Sequence, residues 1–243
     1  MNAVVAGITL RQLLSRRRTL LLLLLGGVLV LVALIFRLAE VGSYQEYTSE
    51  LLNNLGLAAL MPLVALLFGT SAIGSELEDG TAVYILAKPI SRWSILLTKL
   101  AVAAGCSVLL TCIPVLVAGL IGAGGLGGGL VIGFTVGAAF GSIVYCALFV
   151  FLSLVTRRAL VIGLGYVLLW EGVLSGLFAG TRTFSVRQYS LSVADAVADV
   201  SQTVLDAPLG VVTAVIMGLV VTVLATVLAG RRLARIEIAG ETA

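Results

Sequence analysis

Residues 73–100 read IGSELEDGTAVYILAKPISRWSILLTKL, and what flanks them decides the fold. An apolar run over residues 55–73 leads in and another over 94–122 leads out, each close to the roughly 20 residues that a helix needs to cross a bilayer. Between them Glu76, Glu78, Asp79, Lys88, Arg92 and Lys99 gather around Gly80–Thr81 and Pro89. That density of charge ends one crossing and precedes the next, so the chain passes through the membrane more than once.

Working outward, comparable runs lie at 19–36, 130–155, 159–178 and 209–230, each bounded by charges, a glycine cluster or proline. The reading is an all-α polytopic membrane protein, one transmembrane domain over residues 1–243 with six spans. Composition agrees: 60% of residues are hydrophobic, 11% are charged and the mean hydropathy is +1.18, outside the range of soluble domains. A transmembrane barrel needs segments of about ten residues alternating in polarity, and these runs are longer and apolar on every face. The first run exceeds the apolar core of a signal peptide and lacks a small-x-small cleavage site, so it is expected as an uncleaved span.

Orientation follows from the basic residues. Of the 15 Lys and Arg, only Arg37, Arg182 and Arg187 fall on one side when the N-terminus is placed in the cytoplasm. The positive-inside bias therefore puts both termini, and residues 74–93, on the cytoplasmic side of a plasma (inner) membrane. The same bias accounts for the net charge of +3, and no nucleic-acid partner is implied.

Some chemistries are excluded. The chain contains no histidine, which removes the zinc-protease motif and the Ser-His and Cys-His pairs. Cys106, Cys112 and Cys146 all sit inside apolar runs with no metal-ligand spacing, and serve as small hydrophobes. No G-x-x-x-x-G-K-[ST] loop is present, so the chain cannot by itself cradle a nucleotide in the Walker manner. No catalytic residue, bound cofactor or metal is expected here.

Several local features carry weaker signals. In residues 1–18, Ala6, Leu10, Leu13 and Leu14 share one helical face and Thr9, Gln12 and Arg16 the other, a pattern that suits an amphipathic helix on the inner leaflet. Residues 37–54 read as a short external segment. Pro114 interrupts the third span, and GAGGLGGG at 122–129 reads as an external hairpin loop. Glycines at Gly133, Gly137 and Gly141, and again at Gly172, Gly176 and Gly180, allow close helix approach, either within the subunit or between two copies. Glu171 is the one acidic residue embedded in an apolar run. It lines a translocation path or holds a helix break by bonding to freed backbone groups, and both readings stay open. In residues 181–208, Leu191, Ala194, Ala198 and Val200 fall at helical spacing, so short external helices are expected between spans five and six.

Within the opening stretch, Ser75 and Glu78 have capping-box spacing, Gly80 permits a turn, and Thr81 can cap the short apolar run Ala82–Ala87. Pro89 disfavours helix at Lys88, and Ser91 can start the helix that becomes the third span. Val83, Tyr84, Ile85 and Leu86 form an apolar row rimmed by charge, which suggests a partner surface, or else packing beneath the subunit's own helix ends.

These residues carry a resemblance. The order of Glu76 and Glu78, Gly80–Thr81, Val83–Leu86, Pro89, Ser91–Arg92 and Lys99 is similar to the signature of type-2 permeases of ATP-binding-cassette transporters. The six spans, the N-terminal amphipathic segment and the sequence LLWEG before an external segment resemble the same family across essentially the whole length. The resemblance implies that the segment after the second span forms a cytoplasmic coupling helix between spans two and three, docking in a groove of a separate ATPase. Glu76, Glu78, Asp79, Gly80, Thr81, Val83, Tyr84, Leu86, Pro89, Ser91, Arg92 and Lys99 would shape or hold that contact. It further implies two ATPase copies, a second permease subunit that is the same or a homologous chain, ATP and Mg held by the ATPase, and export as the direction. The alternatives are a secondary transporter or channel using Glu171, for which no internal repeat is visible, and a membrane anchor that transports nothing.

Overall fold

The computed structural model describes residues 3–13, 16–39, 43–78, 91–126, 129–174, 179–198, 200–201, 204–205 and 207–235, with backbone alone for 3–5, 16–18, 75–78, 174 and 179–181. Among the described residues every regular element is helical. In chain order these are α1 (Ala3–Leu13), α2 (Arg16–Leu38), α3 (Tyr44–Leu51), a π-helical stretch Leu52–Leu60, α4 (Met61–Glu78), α5 (Arg92–Ala123) and α6 (Leu130–Val155). Then follow α7 (Ala159–Gly165), its π-helical continuation Tyr166–Leu174, a 3-10 segment Ala179–Phe184, α8 (Val186–Val197) and α9 (Val211–Ala234).

Five of the described helices are long and apolar enough to cross a membrane: Thr19–Leu38, Tyr44–Gly74, Arg92–Ala123, Leu130–Val155 and Val211–Ala234. The sixth expected span, 159–178, is described as the shorter apolar helix Ala159–Val173. The second of these helices begins at Tyr44, eleven residues before the expected span 55–73, so most of the expected external segment is helix. Packing explains this: Thr48 is buried, and its hydroxyl lies where a Cβ on Gly122 of α5 would come within 2.6 Å. The turn is therefore held by protein although it carries Glu46 and Glu50.

Burial sorts the helices into an inner and an outer set. In the second crossing and in α6, 61% of the most apolar window is buried, against 22% for α2 and 17% for α9. Leu21 and Leu24 of α2, and Val212 and Val223 of α9, are exposed, as expected of faces whose solvent is lipid. The centre is built from Leu60, Met61, Val64 and Phe68 of the second crossing with Phe134, Tyr145, Phe149 and Val150 of α6. Pro114 of α5 fits a notch at Gly26 of α2, where an added Cβ would stand 2.6 Å from the ring.

Of the glycine loop at 122–129, residues 122–126 and 129 are described. Gly124 ends α5 in the left-handed region at φ 68°, and the Gly125 N–H donates to the Leu120 carbonyl at 3.1 Å, a Schellman-type ending. A Cβ at Gly124 would also lie 2.8 Å from the Arg37 guanidinium, which stacks 4.3 Å above the Tyr44 ring. That arginine therefore joins the C-terminal ends of α2 and α5 to the start of α3.

For α1 the expected faces are corrected. Thr9 and Leu13 are buried while Leu10 is exposed, so the inward stripe is Thr9–Leu13 and the expected polar side faces protein. The reason is that α1 packs on α4 and α5, where a threonine hydroxyl can find partners. Ile8 and Leu10 are left exposed.

Candidate functional site

The expected coupling segment divides at the limits of the described residues. Asp79, Gly80, Thr81, Val83, Tyr84, Leu86 and Pro89 lie outside them, and Glu76 and Glu78 are described only as backbone at the end of α4. The anchors on either side are well defined. Ser91 caps α5, its hydroxyl accepting from the Ser94 N–H at 3.3 Å.

Lys99 lies two turns along α5 and is buried, at 1% exposure. Its ammonium donates to the Ala72 carbonyl of α4 at 2.9 Å. A buried ammonium is costly unless bonded, so this side chain fixes α5 against α4 one turn before Glu76. The carbonyl of Ala72 belongs to a helix interior, so the bond is added to a backbone already in helical register.

Arg92 reaches the other way. Its Nη1 donates to the carbonyls of Leu233 and Ala234 at 3.0 and 2.9 Å. Those are end carbonyls of α9 that have no partner within their own helix, and a cation at a helix C-terminus is also favoured by the macrodipole. Beside it Trp93 fills the space over Gly230, where a Cβ would come within 2.2 Å of the indole. The start of α5 is thereby tied to α4 through Lys99 and to α9 through Arg92 and Trp93. Sequence reasoning identified Lys99 and Arg92 but neither Trp93 nor the acceptors, which lie in α4 and α9.

Glu171 is built into a second constellation. It lies in the π-helical continuation of α7, 2% exposed, and its carboxylate accepts from the Val186 N–H at 2.9 Å, the Tyr166 hydroxyl at 3.2 Å and the Ser185 hydroxyl. Ser185 is in turn the N-cap of α8, accepting from the Gln188 N–H at 3.2 Å. A carboxylate here meets the free N–H groups and positive pole of a helix start. Glu171 therefore binds the π-helical continuation of α7 to the beginning of α8. Trp170 adds an indole N–H bond to the Phe184 carbonyl at 3.3 Å.

The expected external helix is α8, beginning five residues before Leu191. Leu191 and Ala194 are buried on α8 as their spacing suggested; the helix ends at Val197, so Ala198, buried in extended backbone, and the half-buried Val200 lie beyond it. α8 is packed into the bundle along α6, and the first glycine series is the reason. A Cβ at Gly133 would lie 2.4 Å from the Ala194 carbonyl oxygen, one at Gly137 2.3 Å from that of Ser190, and one at Gly141 2.1 Å from the Ser190 hydroxyl. Backbone meets backbone within the subunit, with the two helices antiparallel. From the other side Arg187 donates to the amide oxygens of Asn53 and Asn54 at 3.0 and 3.2 Å.

The second glycine series differs. Gly172 is exposed and, among the described residues, a Cβ there would meet only the Val167 carbonyl at 3.7 Å, so no described residue makes the close approach expected at that position. Gly176 lies outside the described residues. Ser185, Arg187, Asn53 and Asn54 were not singled out from the sequence. Ser185 and Gln188 carry a readable signal, the S-x-x-Q spacing of a capping box, whereas the Arg187–Asn53 pairing spans 134 positions and leaves no local mark.

A family profile described as ABC-2 family transporter protein matches residues 13–179. That stretch takes in α2 to α7, including Lys99, Arg92 and Glu171. No curated protein matches the chain.

Proposed function

This chain belongs to the ABC-2 transporter family, a membrane subunit of an ABC transporter, and on that premise we propose that it is an exporter permease driven by a separate ATPase through residues 76–92. What most supports this reading is the anchorage of the segment's exit: Lys99 bonded to α4 and Arg92 bonded to α9. A force applied to residues 79–90 would reach three crossing helices at once, because each link is a hydrogen bond to a charged group, worth about 1.5–3 kcal/mol. A loose loop would dissipate it.

In this account two ATPase copies hold ATP and Mg, and their closure on ATP pushes the docked segment. α4 and α5 tilt as a unit with the end of α9, and a path between this chain and a second permease subunit opens alternately. This chain supplies no catalytic group. Glu76, Glu78, Asp79, Gly80, Thr81, Val83, Tyr84, Leu86, Pro89 and Ser91 shape or contact the ATPase groove. Both termini face the cytoplasm of a plasma (inner) membrane, as the distribution of arginine implies.

The channel-like alternative would use Glu171 as a coupling group. With three donors on its carboxylate at the start of α8, that side chain is better suited to hold a helix than to exchange a ligand. The test is co-purification of the full chain with an ATPase from its native membrane. Loss of that ATPase from Glu78→Ala and Tyr84→Ala chains that still insert supports the proposal. Flux through the purified chain alone, without ATP, overturns it.

A further inference from the structure

The basic end of the bundle holds a cavity that the coupling path does not use. It opens between the ends of α6 and α9, has a volume of about 370 Å3, and is lined by Phe151, Val155, Leu228, Arg231, Arg232 and Arg235. Arginines in a last helical turn often serve its end carbonyls. Here the carbonyls of Leu233 and Ala234 take the Arg92 guanidinium. Among the described residues the guanidinium groups of Arg231, Arg232 and Arg235 make no hydrogen bond or ion pair, the one bond between these residues being the backbone contact from the Arg235 N–H to the Arg232 carbonyl. Three guanidinium groups thus converge on one cleft with no anion supplied by the described protein.

The apolar half of the lining says which anion fits. Val220, Leu224, Leu228, Arg231 and Arg235 follow one another at spacings of four, four, three and four, a single face of α9. Its apolar part is exposed, at 52% for Val220 and 56% for Leu224. At 1.5 Å per residue the stripe from Val220 to Leu228 runs about 12 Å, comparable to one leaflet of a hydrocarbon core about 30 Å thick. An apolar strip of leaflet length that ends in clustered guanidinium groups is complementary to a whole phospholipid, acyl chain and phosphate together. A free phosphate or nucleotide would leave the strip unused.

We infer that this cleft binds an anionic phospholipid, its phosphate on Arg231, Arg232 and Arg235 and one acyl chain along Leu228, Leu224 and Val220 beside Phe151 and Val155. Guanidinium groups suit the site because their planar donor fork matches phosphate oxygens.

The test uses the full-length chain in an uncharged detergent, incubated with mixed micelles of phosphatidylglycerol and phosphatidylcholine, with retained lipid counted by native mass spectrometry. Wild type is expected to retain phosphatidylglycerol in preference. Arg231→Gln with Arg235→Gln should lower that retention about thirtyfold, each basic residue near an anionic surface being worth roughly fivefold. Arg157→Gln with Arg158→Gln, at the same end but outside the cleft, should change it little. If the double variant does not accumulate, Arg235→Gln alone is read, with a fivefold loss expected. Equal retention of the two lipids, or equal loss in the Arg157/Arg158 variant, overturns the inference in favour of a general positive surface. Displacement of the lipid from wild type by millimolar inorganic phosphate overturns it in favour of a free-anion site.

Discussion

The Lys99 ammonium and the Ala72 carbonyl stand 2.9 Å apart across α5 and α4, the two helices that flank residues 79–90. The bond is buried, so its loss is felt without competition from water. Lys99→Met keeps the aliphatic stem and removes the donor. Expected is a stability change of about 1–3 kcal/mol, seen as a modest fall in Tm in detergent, together with a larger fall in ATP-dependent transport by the assembled transporter. Unchanged transport in a normally folded Lys99→Met chain would show that the link carries no force.

The contacts of the first glycine series make a sharper structural prediction. Gly137→Ala brings a Cβ to 2.3 Å from the Ser190 carbonyl oxygen, a backbone atom that cannot turn away, so α6 and α8 must part. Such overpacking costs about 1–3 kcal/mol. Gly172→Ala meets nothing closer than 3.7 Å and is expected within about 0.5 kcal/mol of wild type or more stable, because alanine favours helix. Thermal unfolding of the two variants side by side decides it, and equal loss in both would contradict the assigned packing.

Glu171→Gln replaces one acceptor oxygen by an amide donor facing groups that already donate. Losing a charged acceptor at the start of α8 is expected to destabilise by about 2–3 kcal/mol and to speed amide exchange at Val186 and Gln188, the two N–H groups bonded to Glu171 and Ser185. Hydrogen exchange read at those peptides is the measurement. Unaltered exchange with transport abolished would favour a role for Glu171 in the translocation path.

At the other end, Arg92→Gln removes the donors to Leu233 and Ala234. The last turn of α9 should fray, with faster exchange confined to residues near 230–235, while α6 keeps its protection. Exchange that rises equally across the bundle would mean that Arg92 stabilises the fold at large.

How much of this could be read from residues alone depended on which force set each feature. Residues 130–155 are bounded in the structure as they are in the sequence, because a long apolar run between a glycine loop and an arginine pair leaves a membrane chain one solution. The start of the second crossing at Tyr44 was not legible, since Glu46 and Glu50 conceal a turn that Thr48 and Gly122 hold by contact. α8 was legible as a helix but not as part of the core: Ser185, Ser190 and Ser192 lower its hydropathy, yet their hydroxyls bond to Glu171, the Val186 carbonyl and the Gln188 carbonyl. The glycines of α6 announced a close neighbour without naming it, because the partner backbone lies about fifty residues away. Glu171 was visible as an anomaly, but its bonds to Ser185 and Val186 join positions fourteen and fifteen residues apart and leave no local mark in the sequence.

In the proposed function, residues 76–92 receive force from a separate ATPase. The most direct measurement is ATP hydrolysis co-purifying with the full chain from its native membrane, for wild type and for Glu78→Ala with Tyr84→Ala. The account predicts hydrolysis that travels with wild type and is lost from the double variant while the amount of inserted chain stays the same. A wild-type chain that purifies folded, moves solute and carries no ATP-hydrolysing subunit would contradict it.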